Sequence, residues 1–317
     1  MLYRILKFPA KLAFLFYCRF LYVNRPELLQ SNGPLLIAAN HPNSFLDAIV
    51  IATLFKKPVY SLVRGDVYTN RFYALLLNAL NMMPVYRLSE GAENLQENYS
   101  TFEKCRQVFR NNGIVLIFSE GRCINEWHLR PLKKGTARLA FSCWEEGIPL
   151  RVLPTGINFS SFRKYGKNIH LLFDEPFENE FAHETNKARG IAALNQRLQS
   201  SLEKIVYEIS PDEKEKAAQL FNNPRQQKLR VALAVPAWIG WITHAPLYYP
   251  LRWLVTAKWN NDHFDSIMVG GLFVAYPFYL LLVSFIAFSC TQSALAWMLL
   301  LILPLCARAL LLWKRPV

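Results

Sequence analysis

Residues 34–54 read PLLIAANHPNSFLDAIVIATL. Pro34–Ala39 is an unbroken apolar run of strand length, without the alternation of a strand that shows one face to water. It is expected to be a strand buried on both faces. Asn40–Asn43 is polar and holds a proline, which reads as a loop. From Ser44 to Leu54 the pattern is helical, with Ser44 at the N-cap and Asp47 at N3 in the first turn. The unit recurs downstream. Val59–Val63, Ile114–Phe118, Leu150–Phe159 and Ile169–Phe173 read as strands. Asn70–Leu80, Glu93–Asn111, Gly135–Glu146 and Thr185–Ile209 read as helices, and Gly113 ends the second of them. Strands alternating with helices predict an α/β fold with a mostly parallel sheet flanked by helices.

Outside this block the texture changes. No charged residue occurs over the 42 positions from Ser266 to Ala307. One membrane span needs about 20 apolar residues, so two fit. The polar break Ser289–Ser293 divides them into a C-terminal transmembrane hairpin, 267–288 and 294–313. Lys258 lies on one flank, with Arg308, Lys314 and Arg315 on the other, and the turn is neutral. The positive-inside rule then predicts a multi-pass protein with both ends, and the α/β domain, on the cytoplasmic face. Val231–Leu251 is also apolar, but Pro236, Pro246 and Pro250 interrupt it. With Trp238, Trp241, Tyr248, Tyr249 and Trp253 it is expected to be interfacial or re-entrant across 231–253. At the other end, Met1–Tyr22 carries Arg4, Lys7 and Lys11 on one helical face and lacks a signal-peptide cleavage site. It is expected to be a basic amphipathic helix on an anionic membrane. The organisation expected is 1–30 membrane surface, 31–209 catalytic α/β domain, 210–230 polar connector and 231–317 membrane region.

Composition agrees. Of the 317 residues, 52% are hydrophobic and 14% aromatic, which excludes a disordered chain. Lys and Arg outnumber Asp and Glu by 36 to 23, a net charge of +13 that suits an anionic partner. A membrane hairpin and phosphorylated substrates account for that charge without nucleic acid. The six cysteines form no CxxC pair, so neither a zinc knuckle nor a disulfide framework is indicated, and no metal site is expected.

The chemistry is sought at strand ends. The chain has no G-x-G-x-x-G, no Walker sequence and no G-x-S-x-G elbow, and His183-Glu184 lacks the second histidine of a zincin. What remains is Asn40-His41-Pro42-Asn43-Ser44-Phe45-Leu46-Asp47. The loop lets the imidazole of His41 meet the carboxylate of Asp47, a pair able to deprotonate a hydroxyl. Read from the residues alone, such pairs are common, and a structural histidine beside a capping aspartate is the commoner reading. A second cluster, Ser119-Glu120-Gly121-Arg122, follows the buried strand Ile114–Phe118, where α/β proteins bind ligands. Glu120 could accept from a polyol hydroxyl. Arg87, Arg122, Arg130, Lys133, Lys134 and Arg138 could bind phosphate.

These blocks together resemble the PlsC-like glycerolipid acyltransferase family. Asn40, His41 and Asp47 match its Asn-His…Asp block, and Pro84-Val85-Tyr86-Arg87 the block ending in arginine. Phe118-Ser119-Glu120-Gly121 match F-P-E-G, and Val152-Leu153-Pro154 the apolar strand ending around proline. The resemblance spans Pro34–Ser160. It implies His41 and Asp47 as catalytic residues, and Asn40, Arg87, Glu120, Gly121, Arg122, Lys134 and Pro154 in substrate binding. It also implies acyl-CoA or acyl-carrier protein as co-substrate, with no other cofactor. The leading acceptor is 1-acyl-glycerol-3-phosphate, giving phosphatidic acid. Five residues separate His41 from Asp47 where the family usually has four. The glycerol-3-phosphate and dihydroxyacetone-phosphate branch shares the longer block, which makes glycerol-3-phosphate the alternative acceptor. A noncatalytic lipid-binding scaffold is the alternative from another class. Ser119 replaces the family's proline and is expected to loosen that turn.

Overall fold

The structure is a computed structural model that describes residues 2–68, 70–86, 95–181, 184, 186–222 and 231–314. Its elements run α1 (Leu2–Tyr17), β1 (Cys18–Val23), β2 (Leu35–Ala39), α2 (Phe45–Leu54), β3 (Val59–Arg64), α3 (Arg71–Ala79) and β4 (Met82–Val85). Then come α4 (Leu95–Arg110), β5 (Ile114–Phe118), α5 (Gly135–Glu145), β6 (Arg151–Phe159), β7 (Lys167–Phe173), α6 (Lys187–Glu203) and α7 (Lys214–Leu220). Three long helices close the chain: α8 (Ala234–Lys258), α9 (Phe264–Thr291) and α10 (Leu299–Trp313), the last preceded by a 3-10 turn over Ala294–Met298.

The seven-stranded sheet has the order β1-β7-β6-β2-β5-β3-β4. Every neighbouring pair is parallel except β6 with β7. β2 lies in the middle, and all five of its residues are buried. Leu36 and Ala38 pack with Phe109, Leu139, Cys143, Leu194 and Leu198 on the side of α4, α5 and α6. Leu35, Ile37 and Ala39 pack with Leu46, Val50, Ile51 and Tyr17 on the side of α1 and α2, where Val269 and Leu272 of α9 join them. Burial on both faces is why β2 reads as a continuous apolar run.

Two sequence expectations are corrected. The amphipathic helix ends at Tyr17, and Cys18–Val23 instead pairs with β7 as an edge strand. Lys7, expected to face lipid headgroups, donates to the carbonyls of Phe55 and Lys56 at the end of α2. Unsatisfied carbonyls at a helix C-terminus attract a cation. Ile5, Phe8, Leu12 and Leu15 form the exposed face of α1. The second correction concerns regularity alone: three prolines made a regular helix doubtful across 231–253, yet the 25-residue helix α8 runs unbroken from Ala234. Pro236 sits in its first turn, where no N–H is needed. Pro246 and Pro250 are interior. The helix continues through them, packed on α9 and α10, and Tyr279 of α9 donates to the Thr243 carbonyl.

The two apolar arms are helical. Phe264–Thr291 and Ala294–Trp313 are long and apolar enough to cross a membrane. Gln292, in a left-handed conformation (φ 51°), turns the chain between them. Ser293 caps the next turn by accepting the Leu295 N–H. α8 and α10 approach closely at Gly240, where a Cβ would stand 2.3 Å from the Cys306 carbonyl oxygen. Gly240→Leu should therefore push the two helices apart and destabilise the protein by about 1–3 kcal/mol. Thermal unfolding in detergent checks this, with Gly270→Ala, whose Cβ meets nothing within 4 Å, expected to match the parent.

Candidate active site

The register of the sheet builds the site. β2 and β5 pair in parallel with Ala39 opposite Phe118. The ladder continues one step further, because the Ser119 N–H donates to the Ala39 carbonyl at 2.9 Å. The two chains leave the sheet side by side, which sets His41 against Glu120. The His41 N–H donates to Glu120 Oε2 at 2.9 Å.

From there the loop folds back. The Asn43 N–H and His41 Nδ1 both lie 2.8 Å from Asp47 Oδ2. Asp47 accepts, so His41 carries its proton on Nδ1 and leaves the Nε2 lone pair free. The imidazole stacks on the Phe118 ring at 3.8 Å and 9°, which fixes the ring plane. Its side chain is 20% exposed and that of Asp47 is 0% exposed. Burial raises the Asp47 pKa, against the opposing pull of His41. A buried carboxylate at this distance gains most when the ring beside it becomes cationic.

Ser44 occupies the N-cap position with φ 55° but makes no side-chain cap. Its Oγ pairs instead with His263 Nδ1 at 2.6 Å. Its N–H donates to Cys123 Sγ at 3.0 Å. Asp47 therefore reaches back to Asn43 rather than taking part in an ordinary capping box.

The residues expected to bind substrate separate into three groups. Asn40 and Pro154 lie within the sheet. The Asn40 side chain accepts from the Ile157 N–H at 2.7 Å and donates to the Ile157 carbonyl at 3.1 Å. Pro154 is buried opposite Ala38. Glu120 is 5% exposed, and its second oxygen accepts the Arg130 N–H at 3.1 Å. It braces two loops across the strand ends, and burial raises its pKa. Gly121, at φ 67°, reverses the chain, and its N–H donates to the Phe118 carbonyl at 3.1 Å. Arg122 and Lys134 are exposed beside it, with Lys133 and Arg138. Arg130 instead pairs with Glu126. Arg87 lies outside the described residues.

Ser119 does not loosen its turn. Its N–H, carbonyl and Oγ bond Ala39, Lys133 and Thr136. A proline would lack the first of these donors.

Sequence reasoning missed several participants. Phe118 and Asn43 were legible as members of their sequence blocks but carried no assigned role, and Cys123 was only one of six unpaired cysteines. The segment Asp262–Ser266, far along the chain, also reaches the loop. Its one legible signal was Asp265, the last charge before the uncharged stretch. Among the described residues, no three His, Cys, Asp or Glu side chains gather as a metal site.

Residues 21–158 match the family described as Acyltransferase. The chain carries an acyltransferase domain. The four blocks read from the sequence, Asn40 to Pro154, fall inside the matched segment, and the chain is an enzyme of this class. No curated protein matches it. Among solved structures it is similar to the 1-acyl-sn-glycerophosphate (LPA) acyltransferase PlsC from Thermotoga maritima. That similarity is 18% identity over 63% of this chain and 79% of that one, with a TM-score of 0.44.

In an acyltransferase domain, a partly exposed imidazole with a buried carboxylate behind it can take a proton from an acceptor hydroxyl. His41→Ala should lower kcat by about 10²–10⁴-fold with folding retained. Asp47→Asn should also be severely impaired, because the amide neither fixes the tautomer nor stabilises the imidazolium. Turnover measured beside circular dichroism of the same preparations separates lost chemistry from lost fold.

Proposed function

We propose that this acyltransferase works at a membrane and esterifies a hydroxyl of a phosphorylated glycerol acceptor. The leading acceptor is 1-acyl-glycerol-3-phosphate, with acyl-CoA or acyl-carrier protein as donor. The observation that carries the reading is the partly exposed His41, paired with Asp47 and bonded through its N–H to Glu120, with the exposed cations Arg122, Lys133, Lys134 and Arg138 on the segment that follows Glu120. A phosphate held there would bring its glycerol hydroxyl to the base. The longer His–Asp block favours glycerol-3-phosphate as the second reading.

The steps are as follows. His41 Nε2 takes the hydroxyl proton as the oxygen attacks the thioester carbonyl. The tetrahedral intermediate collapses, the carbon–sulfur bond breaks, and the leaving thiolate regains the proton from the imidazolium. Asp47 holds the ring through both transfers, and an ester and a thiol result.

Three features support a membrane setting. Trp238, Ile242, Val274, Phe278, Phe285, Leu301 and Leu305 are large, apolar and exposed. An apolar cavity of about 470 Å³ lies among α1, α8, α9 and α10, lined in part by Leu12, Phe16, Leu272, Leu280, Leu300 and Leu311. Such a space suits an alkyl chain. Both outer ends of the hairpin meet the α/β domain. At the far end, Arg308 donates to the carbonyls of Leu15, Cys18 and Arg19 at the end of α1. Lys314 Nζ sits 3.4 Å from the centre of the Tyr165 ring, and burial lowers its pKa to about 8.

The full chain in detergent, assayed with each acceptor and each donor type, tests the reaction. Phosphatidic acid, with a new carboxylic ester, and free thiol from 1-acyl-glycerol-3-phosphate are expected. Activity confined to unphosphorylated acceptors would overturn the reading. Arg122→Ala should raise KM for the phosphorylated acceptor at least roughly tenfold and leave the donor KM unchanged, as losing a charge-assisted bond of about 1.5–3 kcal/mol requires.

The topology has its own test. Cys290 is exposed at the hairpin turn. An impermeant maleimide should label it from outside intact cells. In a Cys290→Ser background, Lys258→Cys should react only after permeabilisation. Labelling of both positions from one side would mean that the hairpin does not cross.

A further inference from the structure

Four side chains from distant parts of the sequence meet in the interior behind the catalytic loop. Asp265, in the first turn of α9, is 0% exposed, and so is Lys167 of β7, with which it forms a salt bridge. The Tyr17 hydroxyl, at the end of α1, also donates to Asp265. The fourth partner is Asn43, whose Nδ2 donates to Asp265 Oδ2 at 2.7 Å. The Asn43 N–H is the group that bonds Asp47 Oδ2, the oxygen that orients His41. A continuous polar chain thus runs Lys167, Asp265, Asn43, Asp47, His41.

The same segment grips the loop at further points. Ser266 Oγ accepts the Leu46 N–H at 3.1 Å and donates to the Asn43 carbonyl at 3.2 Å. His263 bonds Ser44. Asn125 ties Asp262 to the Pro42 carbonyl, donating from Nδ2 to Pro42 at 2.8 Å and from its N–H to Asp262 at 3.0 Å. Ser44 keeps its positive φ, unusual for a residue other than glycine, inside this grip. Such conformations persist where the surroundings over-determine them.

We propose that Asp265, charge-balanced by Lys167, is a positioning residue for the acyl-transfer reaction. The first turn of α9 would then hold the catalytic loop in its active geometry through Asn43. A buried ion pair adds little net stability compared with apolar residues of similar size, because each charge gives up its hydration. What a charged carboxylate supplies here is a fixed acceptor that sets where Asn43, and with it Asp47, must lie. The proposal rests on His41 acting as the base.

Asp265→Leu with Lys167→Met removes both charges together and leaves no lone buried ion. Together with Asn43→Ala and the triple variant it forms a double-mutant cycle. Turnover is measured per folded enzyme in detergent, on whichever donor and acceptor the parent uses, so a wrong acceptor assignment leaves the test intact. The charge-deleted variant should lose about ten- to a hundredfold in kcat with both KM values unchanged. Asn43→Ala should lose a similar factor, and the triple variant little more than either. A kcat within about twofold of the parent, or losses that multiply, would overturn the proposal. If the charge-deleted variant fails to fold, Asn43→Ala alone decides, since it leaves the ion pair in place: parental kcat would refute the link. Parental activity in His41→Ala would instead refute the base on which the link depends.

Discussion

The parallel pairing of Leu35–Ala39 with Ile114–Phe118 is the constraint on which the site depends. Parallel strands emerge at the same edge of a sheet, and this register has no offset between Ala39 and Phe118. His41 and Glu120, each two residues beyond the paired ends, are therefore neighbours before any side chain is placed. A slip of one residue would turn the apolar faces of β2 inside out, so burial on both sides locks the register. The Asn40 side chain, bonded to both polar groups of Ile157, extends the same ladder toward β6.

Electrostatics then explains why the loop needs so many supports. Asp47 and Glu120 are both buried carboxylates whose pKa burial raises, and each is held by backbone N–H donors that favour the charged form. Asp265 lies close enough to raise Asp47 further. Carboxylates buried this close together repel one another and lose hydration. Lys167 balances one of them. Glu120 and Asp47 are held by the His41, Arg130 and Asn43 amides.

The apolar helices are joined to this centre by polar contacts at their domain ends and by apolar packing elsewhere. Asp265 and Ser266 begin α9 at the catalytic loop, while Arg308 supplies cationic donors to the carbonyls that α1 leaves unpaired. Between α8 and α10 the missing side chain of Gly240 lets the backbones approach closely. A change in the long helices therefore has a short mechanical route to His41.

Local pattern by itself determined much of this protein. Continuous apolar runs marked the buried strands, 42 uncharged positions marked the long hairpin, and the His41…Asp47 spacing after a buried strand marked the dyad. Each depends on residues near one another in the chain, where periodicity and chain length act directly. Prolines misled for α8, which packs on α9 and α10 and runs through them, and of the basic face of α1 only Lys7 was misread, because it found a helix end to cap. Asn40 and Glu120 were recognisable as part of the site, yet only the sheet register decided that their polar atoms brace strands and loops. The partnership of Tyr17, Asn43, Lys167 and Asp265 was illegible, since it joins positions 248 residues apart at the extreme. No local pattern encodes such a meeting: it exists because β7, α1 and α9 converge behind one loop, and a charge buried there must find its counterpart in three dimensions.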